Sequence, residues 1–168
     1  MLSLFHLHGN PKSGFTLIEM MVVLGVLGTL IAFSSVNLVG YQGKNLLQTT
    51  LSTVVGDIQN QRLKSLNGDT QGQVTTNSYG VYIQSSSYTL FRGTSYAAGA
   101  SGNIVIPVAA PMTLSTTFPS SQFVYSKGTG EIASFNGAQN TITVRNSSTN
   151  EQIVITFNRY GTIISGLP

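Results

Sequence analysis

The chain has 168 residues, with eight Lys or Arg against five Asp or Glu. At 8% charged, well below the roughly 25% of ordinary soluble domains, it fits neither a disordered tail nor a continuous coiled coil. The pI of 9.3 rests on a net charge of only +3, which argues against a strongly basic nucleic-acid binder, and the absence of Cys excludes disulfides, thiolate metal sites and thiol nucleophiles.

The first element is the most distinctive. Residues 15–39 carry one charge, Glu19, and residues 20–33 carry none. As a helix, residues 15–39 would be roughly 37 Å long, enough to cross a hydrocarbon core of about 30 Å with some tilt. A cleaved secretory signal fits poorly. Its basic region would be Lys12 alone, Ala32-Phe33-Ser34 is only a loose cleavage site, and Glu19 opens the apolar run. A simple single-span anchor explains the length but not the carboxylate.

Residues 14–24 read GFTLIEMMVVL. This resembles the N-methylation motif of type IV pilins and pseudopilins: a Gly, then Phe, then Thr-Leu-Ile-Glu at the head of a long apolar helix. The resemblance implies a leader over residues 1–14, cleavage by a prepilin peptidase between Gly14 and Phe15, and methylation of the new amino group of Phe15. It implies that Glu19 is the acidic residue needed for subunit addition. It also implies other partners: further pilins or pseudopilins, an inner-membrane assembly platform with its ATPase, and membrane lipid before assembly. The chain departs from the family in its single leader lysine and in having Val36 where many members carry a kink-forming Pro.

After Gly40 the pattern becomes amphipathic. Leu47, Leu51, Val54, Val55, Ile58 and Arg62 recur at spacings of three and four, with Lys44, Gln48, Ser52, Gln59 and Lys64 among the polar positions. This predicts one long helix from about Phe15 to Leu66, stopped by Asn67-Gly68-Asp69 and weakened locally at Gly40, Gly43 and Gly56. The expected divisions are a leader at 1–14, a membrane or filament-core helix at 15–40, an amphipathic half at 41–66 and a β-rich domain at 67–168.

In residues 67–168, 28 positions are Ser or Thr, eleven are Gly and seven are charged. Short alternating runs at 79–83, 88–91, 104–106, 122–125, 141–144 and 153–157 predict antiparallel strands, with turns at 127–130 and 158–161. Pro107, Pro111 and Pro119 mark strand ends or edges. The fold class is therefore α+β. The resemblance implies a pilin-like fold, most like minor pseudopilins of type II secretion and related minor pilins.

Catalytic candidates are few. The only histidines are His6 and His8, in the leader, so a processed chain has no Ser-His-Asp site and no His-containing metal site. Asp57, Asp69, Glu131 and Glu151 are scattered, with no motif that pairs them for glycoside hydrolysis or clusters them for calcium. The loop at 93–102 is Gly-rich but lacks the Lys-Ser/Thr end of a phosphate loop, and reads as flexible and exposed. Asn146-Ser147-Ser148 fits a glycosylation acceptor by pattern, a match that chance explains in a chain this rich in Asn and Ser. For a surface ligand or DNA the candidates are Arg92, Lys127, Arg145 and Arg159, with tyrosines nearby for stacking. Residues 67–168 carry four basic side chains against three acidic, which disfavours DNA.

The reading is a non-enzymatic filament subunit with no cofactor or metal. It is a single-pass inner-membrane protein with its β domain outside the cytoplasm before it joins a type IV pilus or type II secretion pseudopilus. The competing reading is a membrane-anchored β domain that binds a surface ligand or DNA without polymerising.

Overall fold

A computed structural model describes residues 14–72, 74–75 and 77–165, with the side chains of 34–42 left out. Residues 1–13 of the leader therefore lie outside the described residues, as does the side chain of Val36. The chain divides into two compact units, Met1–Val39 and Gly40–Pro168.

One helix, α1 (Leu17–Asn67), crosses the unit boundary. In the second unit it continues through Gly43 and Gly56, each a single weak helix former in an otherwise favourable run. Gly43 has a packing role instead. A Cβ there would lie 3.1 Å from Thr149 Cγ2 and 3.2 Å from Asn146 Nδ2, so the glycine lets a β-hairpin approach the helix closely.

The expected apolar stripe is the buried one. Leu47, Leu51, Val54 and Ile58 are all inside. The stripe then continues in polar residues. Gln61 Nε2 donates to the Gly80 carbonyl (3.2 Å), and Ser65 Oγ donates to the Tyr125 carbonyl (2.8 Å). Both side chains are buried, and the hydrogen bonds account for a helix face that turns polar while staying inside.

Among the described residues eight strands follow. In sequence they are β1 (Tyr79–Ile83), β2 (Ser87–Arg92), β3 (Ile104–Pro107), β4 (Met112–Thr116), β5 (Gln122–Tyr125), β6 (Thr141–Asn146), β7 (Gln152–Phe157) and β8 (Ile163–Ser165). A single 3-10 turn, Pro119–Ser121, precedes β5. They form two four-stranded sheets, ordered β3-β2-β1-β5 and β4-β6-β7-β8. Every described pairing is antiparallel. The architecture is α+β, with one N-terminal helix and antiparallel sheets.

All six expected strands form. β4 and β8 are additional: Pro111 and a run of hydroxyls obscure the first, and the second has only three residues. β3 is an edge strand ending at Pro107, where a missing N–H does least harm.

Helix and sheets share one core. The α1 stripe meets Val81, Ile83, Tyr88 and Leu90 of the first sheet and Met112, Leu114, Ile142, Val144, Ile155 and Phe157 of the second. Phe118 stacks on Phe123 with centroids 4.6 Å apart, and both rings tilt against Phe157 at 5.9 and 5.5 Å. Burial alternates along β6, placing Ile142 and Val144 inside and Thr143 and Arg145 outside.

Packing adds a contact to one sequence reading and agrees with another. The 93–102 loop is not simply loose. Tyr96 stacks on Tyr82 at 4.1 Å and meets the edge of Phe91, while its N–H donates to Gln122 Oε1 (2.7 Å). Asn146 does not fit a glycan acceptor. It is only 1% exposed, and its Oδ1 accepts the N–H groups of Ser148 (2.9 Å) and Thr149 (3.3 Å) to close the β6–β7 turn.

Candidate functional site

The unit Met1–Val39 contains the residues singled out by the motif. Gly14, Phe15 and Thr16 precede the helix, and α1 begins at Leu17. Thr16 occupies the N-cap and Glu19 the third helical position. Thr16 N–H and Oγ1 donate to Glu19 Oε2 at 2.9 and 2.8 Å, and Glu19 N–H donates to Thr16 Oγ1 at 3.3 Å. This is a reciprocal capping box, which satisfies backbone donors that the first turn leaves without helical partners. Sequence reasoning omits Thr16, although its signal, a Thr three residues before a Glu at the head of an apolar run, is contiguous.

From Phe15 onward every described side chain through Phe33 is exposed. Phe15 is 83% exposed, Leu17 80% and Phe33 79%. The exposed residues surround the helix: Ile18, Met21, Val22, Leu24, Leu27, Leu30 and Ile31 leave no polar face. A helix apolar all round requires an apolar environment on every side. Among the described residues no helix is long and apolar enough to cross a membrane. Residues 17–33 would measure roughly 25 Å at 1.5 Å each, short of the ~30 Å hydrocarbon thickness.

One protein-family model, described as the prokaryotic N-terminal methylation motif, matches residues 9–35. The chain carries the methylation signature of type IV pilins and pseudopilins. No curated protein and no solved structure matches it. The signature covers the N-terminal segment alone, so the β domain is understood from its own geometry.

In that domain the four candidate ligand residues do not form one site. Arg92, at the end of β2, donates from Nη2 to the Thr75 carbonyl (2.5 Å). Lys127 is exposed in the turn after β5, and its N–H donates to Ser78 Oγ (3.3 Å). Arg159 Nε lies 3.3 Å from Glu131 Oε2. These three adjoin the end of the domain where α1 finishes. Arg145 pairs in register with Thr113 and Gln152, and its Nη2 donates to Asn150 Oδ1 (2.7 Å). It lies at the opposite end of the second sheet, because β6 and β7 share five registered pairs from Thr141 to Arg145.

The carboxylates are equally dispersed. Asp57 accepts the Tyr88 hydroxyl, Asp69 Oδ1 accepts the Gln71 N–H (2.8 Å), and Glu151 Oε2 accepts the Thr149 hydroxyl (3.1 Å). Among the described residues no three His, Cys, Asp or Glu are placed to hold a metal ion. Burial, reinforced by the Asp57 acceptor, raises the Tyr88 pKa, and burial alone raises that of Tyr125. Both phenols are structural, each bonded to a group within the fold.

Proposed function

We infer that the chain is a structural subunit of a type IV pilus or a type II secretion pseudopilus. A prepilin peptidase cuts between Gly14 and Phe15 and methylates the Phe15 amino group. The processed chain waits in the inner membrane with residues 67–168 outside the cytoplasm. It then joins other pilins through α1, driven by an assembly platform and its ATPase. The anchor is the apolar stretch read from the sequence over 15–40, which includes positions beyond the described side chains.

The observation that carries this reading is the uncovered apolar helix at the methylation motif, with one carboxylate at its head. Water is a poor solvent for such a surface at about 25 cal/mol per Å². Lipid or a bundle of like helices removes that penalty. Glu19 is then the costly residue. The capping box satisfies Oε2 but not the charge, and an unpaired charge out of water is strongly unfavourable. The ammonium created at Phe15 of a neighbouring subunit neutralises it. Docking then depends on axial register.

Mass spectrometry of the mature N-terminus tests processing. A methylated Phe15 start is expected; an intact Met1, or a start near Ser34, refutes the reading. Assembly is tested by shearing cells that express Glu19→Ala. The variant should insert and be cleaved, yet be missing from sheared filaments.

A further inference from the structure

Folding gathers charge that the sequence leaves dispersed. At the end of the β domain where α1 finishes, Arg62 Nε donates to the carbonyls of Tyr160 (2.9 Å) and Gly130 (3.4 Å). Arg159 precedes Tyr160 and pairs with Glu131. Gly128 N–H donates to the Ser65 carbonyl (2.8 Å), which places the Lys127 turn against the last turn of the helix beside Lys64. Ser78 joins this group to Arg92, since its carbonyl accepts the Gly93 N–H (2.8 Å) and its hydroxyl accepts the Lys127 N–H. Five basic residues therefore share one pole with two acidic ones, Asp69 and Glu131. The rest of this unit is balanced: Lys44 and Arg145 stand against Asp57 and Glu151.

The pole is also apolar in part. Leu63 is 51% exposed and Tyr160 61%, and the carbonyl of Tyr160 is held by the Arg62 side chain. The negative end of the helix dipole favours Lys64, but its half charge does not balance five cations.

We propose that this pole docks an acidic surface of a different protein, with carboxylates placed around an apolar contact that receives Tyr160. Charge disfavours a second copy as the occupant, because the remainder of the unit carries two acidic residues against two basic ones and so no net complement to the pole. A phosphate backbone is the poorer fit. Arg62, Arg92 and Arg159 are already engaged with carbonyls or Glu131. Lys64 and Lys127 have no side-chain partner among the described residues. Affinity for nucleic acid grows with the number of phosphates neutralised, and a pole whose five basic and two acidic residues sum to +3 neutralises few. An exposed Tyr beside Arg matches the anchor-and-rim composition of protein interfaces. The proposal concerns the β domain and does not depend on polymerisation through α1.

The test is photo-crosslinking in the cells that make the protein. The full chain carries p-benzoylphenylalanine in place of Tyr160, or of Val154 on the outer face of the second sheet as a control. The expected result is a Tyr160-specific adduct with another protein, its crosslinked peptide lying in a carboxylate-rich surface. Lys64→Glu with Lys127→Glu should lower the adduct yield about tenfold. The same charge change at the other pole, Lys44→Glu with Arg145→Glu, should leave it unchanged. If the glutamate pair does not accumulate, Lys64→Gln with Lys127→Gln should still lower the yield. The proposal is overturned by an adduct with a second copy, a nuclease-sensitive adduct, an adduct with a surface poor in carboxylates, no adduct, or a yield indifferent to both charge variants.

Discussion

The turn that presents Tyr160 depends on Gly161, and its replacement by alanine gives a sharp measure of the packing. Gly161 has φ +73°, a left-handed conformation that a Cβ makes unfavourable by about 1 kcal/mol. A Cβ there would also overlap the Tyr125 ring and come within 3.0 Å of the Gly130 carbonyl oxygen. Tyr125 is completely buried, so its ring has nowhere to swing. Overpacking of this kind adds about 1–3 kcal/mol, for a total near 2–4 kcal/mol. Gly128 is the internal control. Its φ is +78° but a Cβ would meet nothing within 4 Å, so Gly128→Ala should lose only the conformational part, about 1 kcal/mol. In thermal melts of the micelle-solubilised full chain, the expected falls in Tm are about 6–12 °C for Gly161→Ala and about 3 °C for Gly128→Ala. Equal falls would show that Tyr125 yields to the new methyl group, and the packing argument would fail.

Three further outcomes follow from single contacts. Thr16→Val removes the N-cap partner of Glu19 and should destabilise the first turn by about 1 kcal/mol, seen as faster amide exchange at residues 17–20 with unchanged membrane content. Tyr88 and Tyr125 keep their protons in the fold beyond the ordinary phenol range, whereas the unfolded chain loses them near pH 10. Their stabilisation is complete below about pH 10 and is lost as pH rises, at about 1.4 kcal/mol per pH unit for each; urea midpoints measured upward from pH 9 should fall accordingly, and less steeply in Tyr88→Phe. Asn146→Ala removes the acceptor that closes the β6–β7 turn and should cost about 1–2 kcal/mol in the same melts. Expression in a glycosylating host should give no mobility shift at Asn146 in the wild-type chain, because the side chain is inside.

Much of the fold is legible because it rests on local periodicity. The three-and-four spacing from Leu47 to Ile58 identifies the buried helix face, and alternation at 141–144 and 153–157 identifies two neighbouring strands. Legibility fails where neighbours in space replace neighbours in sequence. Gln61 and Ser65 look like surface residues, yet the Gly80 and Tyr125 carbonyls lie opposite them and make their burial tolerable. Asn146 matches a surface pattern, yet the closure of its hairpin takes it inside. The loop at 93–102 has the composition of a flexible segment, and only the rings of Tyr82 and Phe91 reveal what Tyr96 is for.

The sequence by itself determines the N-terminal signature, because Gly14, Phe15 and Glu19 lie within one stretch of six residues. A capping box and an all-round apolar helix follow from spacing along one chain. Tertiary structure alone decides the charge distribution of the β domain. Arg62 and Lys64 come from the helix, Arg92 from a strand end, and Lys127 and Arg159 from two separate turns. Antiparallel pairing and the docking of α1 bring these five to one pole and send Arg145 to the other. Charges act through space, so their sum at a surface depends on topology and register, which local composition does not encode.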